Sequence, residues 1–93
     1  MLGLIVKITN PRASRAGSYH QLVIFKDMLT GQYLPMCLPH SADILKHWDG
    51  ALQRGAVLDD LNVVLRGKTP MVDAKSRPHL VTHIDLHNRR CNA

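Results

Sequence analysis

Apolar and polar positions along this chain alternate mostly with a period of two, which predicts a fold made chiefly of strands. Leu2, Leu4, Val6 and Ile8 alternate with Gly3, Ile5, Lys7 and Thr9 in a first strand, and Ile5 suggests partial cover on both faces. Residues 10–18 are small, polar and basic and read as a flexible loop. Over residues 19–28 the alternation resumes. Tyr19, Gln21, Val23 and Phe25 fall on one face, and His20, Leu22, Ile24 and Lys26 on the other. Asp27-Met28-Leu29-Thr30-Gly31 is a turn, with Asp bonding nearby amides and Gly taking a positive φ. A third strand follows over residues 32–38. Pro35 and Pro39 lack ladder donors and assign it to an edge or a bulge.

The period then changes. Ile44, Leu45, Trp48 and Leu52 recur at helical spacing after Ser41, a candidate N-cap, with Asp43 in the first turn. One helix of about three turns is expected, ended by Gly50 or Gly55. Leu61, Val63 and Leu65 alternate with Asn62, Val64 and Arg66 in a fourth strand. Gly67-Lys68-Thr69-Pro70 turns the chain, and residues 71–75 are a possible extension of the sheet. After the break at Ser76-Arg77-Pro78, a last strand places Leu80, Thr82, Ile84 and Leu86 on one face. His79, Val81, His83, Asp85 and His87 occupy the other.

The 93 residues make one domain, assigned to residues 1–88, with a polar tail over 89–93. A chain this short buries roughly 60–65% of its unfolded surface, enough for one modest core. Phe25, Trp48, Tyr19 and Tyr33 are the only aromatic residues of their kinds, so Leu, Ile and Val must build most of that core. Cys37 and Cys91 are too few and too far apart for a disulfide framework, which favours a reducing compartment. The apolar opening is too short for a secretion signal, and no apolar run approaches the roughly 20 residues of a membrane span. A soluble cytoplasmic protein is expected.

The predicted order is strand, basic loop, strand–turn–strand, helix, strand, turn, strand. Five strands with a helix between the third and fourth make a mainly β fold that resembles the OB-fold, a five-stranded Greek-key β-barrel. Over residues 2–88 the chain is similar in plan to single-stranded DNA-binding proteins. The residues that carry the likeness are the strand 19–26 with its Asp27…Thr30-Gly31 turn, the glycine-led Gly55-Ala56-Val57 approach to the fourth strand, and the basic loop after the first strand. The resemblance implies single-stranded nucleic-acid binding in a groove across the second and third strands, rimmed by loops. The chain departs from that family in its few aromatics, on which such proteins stack bases.

Charge points the same way. Residues 1–20 carry Lys7, Arg12 and Arg15 and no acid, residues 21–60 are net acidic at −2, and residues 61–93 return to +4. If the basic strands lie side by side, their charges merge into a surface that attracts polyanions. A groove that follows a phosphate backbone needs spaced cations, for which Lys7, Arg12, Arg15, Lys26, Arg66, Lys68, Lys75 and Arg77 are candidates. Tyr19, Tyr33 and His20 are the candidates for stacking. The plainer alternative is a solvated surface of ordinary net charge. Trp48 and Phe25 share faces with aliphatic residues and are assigned to the core.

Other chemistries are weaker. His83-x-Asp85-x-His87 lines one face of the last strand and would suit zinc or iron, but one strand seldom converges three ligands by itself. Gly67-Lys68-Thr69 is not a phosphate loop, because Asn62 stands where another Gly is needed and Pro70 opposes the following helix. Cys37 with His40 has the residue types for nucleophilic catalysis but lies among apolar neighbours. Asp59-Asp60 reads as a solvated loop pair. The expectation is therefore a non-catalytic, sequence-tolerant single-stranded DNA-binding protein of the cytoplasm, without cofactor or metal, self-associating through the edge strand 33–38. DNA is favoured over RNA, and the small size suits DNA replication in a phage or mobile element. One alternative is a protein-interaction module that uses that edge and the Trp48 helix against an acidic partner. The other is a metal-dependent enzyme using His83, Asp85 and His87.

Overall fold

A computed structural model describes residues 1–81. Its strands are β1 (Gly3–Ile8), β2 (Arg12–Ala13), β3 (Tyr19–Asp27), β4 (Tyr33–Pro39), β5 (Val57–Asp59), β6 (Val63–Arg66), β7 (Thr69–Val72) and β8 (His79–Leu80). One helical segment, α1 (Ala42–Leu45) followed by a 3₁₀ turn (Lys46–Trp48), lies between β4 and β5. The expected mainly β class holds, and the main sheet curls into a half-barrel. In that sheet β3 pairs with β1 and β2 along one edge and with β4 along the other, β1 continues to β5, and β5 to β8. β6 and β7 form a separate two-stranded ribbon.

The hairpin β3–β4 is the backbone of the fold. Its turn closes as expected: the Gly31 amide donates to the Asp27 carbonyl at 2.8 Å, and Asp27 Oδ1 accepts from the Leu29 amide at 2.8 Å. Gly31 sits at φ 78°, which needs a residue without Cβ strain. Register sets Val23 against Met36 and Phe25 against Leu34. These four side chains face inward with Ile5, Leu38, Trp48, Leu58, Leu61 and Val72 and are buried. Trp48 and Phe25 meet at a centroid distance of 6.1 Å, so both core assignments are correct.

β1 does not alternate as simply as its sequence. Ile5 stands opposite Phe25, but Lys7 stands opposite Ile24, so Val6 is an extra residue in the ladder. This bulge reverses the facing of everything after it. Gly3 and Ile5 are buried before it, whereas Lys7, which strict alternation would turn inward, is exposed.

Several expectations need correction. The helix is one α turn and one 3₁₀ turn rather than three turns, and it follows the fourth strand rather than the third because Arg12 and Ala13 form a strand of their own. Ser41 has the extended φ and ψ of an N-cap but makes no side-chain capping bond. Gly50, at φ 75°, ends the segment, and the chain turns again at Gly55, φ 92°. The strand expected over 61–66 is divided. Leu61 is buried beside the sheet, while 63–66 leave it to pair with β7. Of the last strand, His79 and Leu80 pair with β5. Residues 82–87 and the tail 89–93 lie outside the described residues.

The gap between the hairpin and the ribbon has a chemical cause. Tyr19 accepts from the His40 amide and Asp27 donates to Gln32, which makes the inward-facing positions of β4 the ones that exchange hydrogen bonds with β3. The amide positions of Tyr33, Pro35, Cys37 and Pro39 therefore point to the outer edge, and the two prolines have no N–H to offer there. On the ribbon, Asp73 donates to Asn62, so Pro70 occupies a β7 position turned away from β6 and also lacks a donor. β7 packs beside β4 without pairing to it.

Candidate nucleic-acid interface

Directly opposed residues of antiparallel strands share a face. The register of β1, β2, β3 and β4 therefore reads out the outer face of the sheet row by row. Arg12, His20 and Pro39 form one row; Leu22 and Cys37 the next; Lys7, Ile24 and Pro35 the third; Leu4, Lys26 and Tyr33 the last. Three cations and one tyrosine thus surround a central strip of Leu22, Ile24, Pro35 and Cys37. Tyr33 is 60% exposed and Leu22 40%. Among the described residues no carboxylate forms an ion pair with Lys7, Arg12 or Lys26, so their charges face solvent unneutralised.

Short-range bonds hold the basic loop against this face. The Thr9 hydroxyl accepts from the Leu22 amide at 3.0 Å, extending the β1–β3 ladder beyond its last strand residue. Gln21 Nε2 donates to the Thr9 carbonyl at 2.9 Å, and Gln21 Oε1 meets His40 Nε2 at 2.9 Å, tying loop, β3 and the end of β4 together. The loop expected to be flexible then pairs as β2 and turns back through Ser14, whose amide donates to the Ser18 carbonyl at 2.6 Å. Arg12 is fixed beside His20 by this pairing, while Arg15 stays in the exposed turn.

A second group forms where the ribbon leans against the hairpin. A groove of about 190 Å³ is lined there by His20, Cys37, Arg66, Met71, Asp73 and Lys75, among others. His20 is common to the face and the groove. Asp73 is the acid of the groove, and its Oδ1 accepts from the Lys75 amide at 3.0 Å.

The remaining candidates stand apart. Lys68 is in the β6–β7 turn, and Arg77 is exposed on the segment leading to β8. Tyr19 is 57% exposed but has the inward parity of Val23 and Phe25, opposite to that of Tyr33. The two tyrosines are also seven positions apart along the hairpin, or about 23 Å at the rise of a strand. They therefore do not form one stacking platform. The apolar strip between the cations was not singled out from sequence, although Leu22 and Ile24 share the alternation of His20 and Lys26 and carried that signal.

No group of three metal-ligating side chains occurs among the described residues, and His83, Asp85 and His87 lie outside them. No helix among the described residues is long and apolar enough to cross a membrane. Comparison with protein-family models, curated proteins and solved structures returned no match.

Proposed function

We propose that this chain is a non-catalytic, cytoplasmic protein that binds single-stranded nucleic acid, DNA in preference to RNA, on the outer face of the β1–β3–β4 sheet. The OB-like barrel plan belongs to the same proposal. The observation that carries it is the register that sets Arg12, Lys7 and Lys26 along one face with Tyr33 and a partly exposed apolar strip. Cations at three of the four rows match the spaced charges of a nucleic-acid backbone, and Tyr33 offers a flat surface to one base.

Magnitudes favour charge as the main source of affinity. One stacked base contributes about 1–3 kcal/mol, too little for tight binding. Three phosphate contacts on a single strand imply a slope of log affinity against log salt of about −2. Contacts by Arg15, Arg66, Lys75, Arg77 or Lys68 would steepen it. Tyr19 contributes only if the strand wraps past the end of β3.

The test is fluorescence anisotropy of a labelled oligo-dT at two salt concentrations, with duplex DNA as competitor. Binding that salt weakens and duplex does not displace supports the reading. Absence of binding at low salt overturns it.

The apolar strip of exposed Leu22 and half-buried Ile24 and Pro35 favours a second reading, a protein-interaction module whose cations face an acidic partner. It predicts salt-sensitive binding to a protein and none to oligonucleotides.

A further inference from the structure

We propose that the open edge of β6 pairs with the same edge of a second copy of this chain, joining two ribbons into a four-stranded antiparallel sheet. The ribbon's own ladder sets which groups are available. Asn62 accepts from the Asp73 amide at 2.8 Å, which makes Val64 and Arg66 the β6 residues bonded to β7. The amides and carbonyls of Val63 and Leu65 point the other way. Among the described residues β7 is the only strand bonded to β6, and Val63 and Leu65 are 45% and 72% exposed.

This edge differs from the others near it. β4 and β7 carry Pro35, Pro39 and Pro70 at outward positions, which interrupts their rows of donors. β6 carries no proline and no acid, so both of its outward residues keep donor and acceptor.

The edge is self-complementary, and this is the argument for a second copy as its occupant. With the two-fold axis at Val64, Val63 of each chain opposes Leu65 of the other. Each such pair exchanges two hydrogen bonds, and Val63 and Leu65 cover each other across the junction. Arg66 then opposes Asn62 rather than another arginine, so no like charges meet. A pairing of four-residue strands buries less than the roughly 1,200 Å² of a standard interface, so the dimer is weak and concentration-dependent.

The experiment is sedimentation of the full chain across a wide concentration range without nucleic acid, which keeps it independent of the binding reading above. The parent chain is expected to shift from monomer to dimer as concentration rises. Val63→Lys combined with Leu65→Lys sets lysine against lysine at both pairs and weakens the dimer about tenfold or more. Val63→Lys combined with Leu65→Glu sets lysine against glutamate and restores it. Circular dichroism melts confirm that both variants fold. A parent that stays monomeric throughout overturns the proposal. So does a dimer indifferent to the double lysine variant, or one that the lysine–glutamate variant fails to restore.

Discussion

The indole N–H of Trp48 donates to the carbonyl of Ala74 at 2.9 Å, across 26 residues of sequence. This bond fastens the 3₁₀ turn to the segment that follows the ribbon. Trp48 is 1% exposed and packs on Phe25, so it serves the core with its ring and the chain's long-range connection with its nitrogen. Trp48→Phe keeps an aromatic body but leaves the Ala74 carbonyl without its donor, at an expected loss of about 1–3 kcal/mol. Trp48→Ala loses about 3–5 kcal/mol through the cavity it opens. Urea unfolding followed by circular dichroism measures both, and a Trp48→Phe variant as stable as the parent would show that the hydrogen bond contributes nothing separate.

Ser76 makes a similar connection from the other side. It is fully buried, and its hydroxyl accepts from the Asn62 amide at 2.9 Å, just before β6 begins. Ser76→Ala leaves that amide unpaired, with an expected loss of about 1–3 kcal/mol. Hydrogen exchange at Asn62 should accelerate well beyond that at Phe25. Unchanged protection at Asn62 would contradict the assignment.

Gly3 is enclosed. A Cβ there would stand 2.9 Å from Met1 Cε, 3.0 Å from Leu61 Cδ1 and 3.2 Å from Phe25 Cδ1. The first two are ends of flexible side chains, so Gly3→Ala should destabilise at the low end of the roughly 1–3 kcal/mol typical of overpacking. Gly3→Val should exceed it clearly in the same unfolding assay, because the ring of Phe25 has little room to retreat.

Asp60 is the non-glycine residue with positive φ, 61°, among the described residues. Asp60→Gly relieves that conformation and should be neutral or slightly stabilising. Asp60→Val should lose about 1–2 kcal/mol, since branched side chains avoid this region. Thermal melts should therefore place Asp60→Gly at or above the parent and Asp60→Val below it.

For binding, Arg12→Ala with Arg15→Ala should weaken all oligonucleotides alike and flatten the salt slope by up to about 1.4, or about 0.7 if Arg12 alone contacts phosphate. Tyr33→Ala should weaken binding by about 1–3 kcal/mol with the slope unchanged. Tyr19→Ala should matter less, given its opposite facing. A larger effect at Tyr19 than at Tyr33 would move the path of the strand off the outer face.

The parts of this fold legible in the sequence are those decided by local chemistry. The alternation over 19–28, the Asp27…Gly31 turn and the prolines of β4 all appear where they were expected, because pleat, turn geometry and missing donors act within a few residues. The Trp48 spacing announced a buried face, but not how short the helical segment would be. That length depends on Gly50 and on the bond to Ala74, a partner distant in sequence. The change of facing along β1 was hidden for a related reason. A bulge is a property of two strands together, and nothing in β1 alone marks Val6 as the extra residue. The same holds for the groove, where Arg66 and Lys75 reach His20 only through the docking of the ribbon.

The prolines along the outer edges of β4 and β7 have a mechanical consequence. Among the described residues no hydrogen bond crosses that boundary, so hairpin and ribbon are two leaves held by side-chain contact and hinged near Asn62 and Ser76. Opening such a joint breaks no β4–β7 backbone bond, and its apolar cost is the uncovering of Val72. The leaves should then part and close far more often than the sheet unfolds, and the groove between them should admit an elongated ligand sideways, without the ligand having to be threaded from an end.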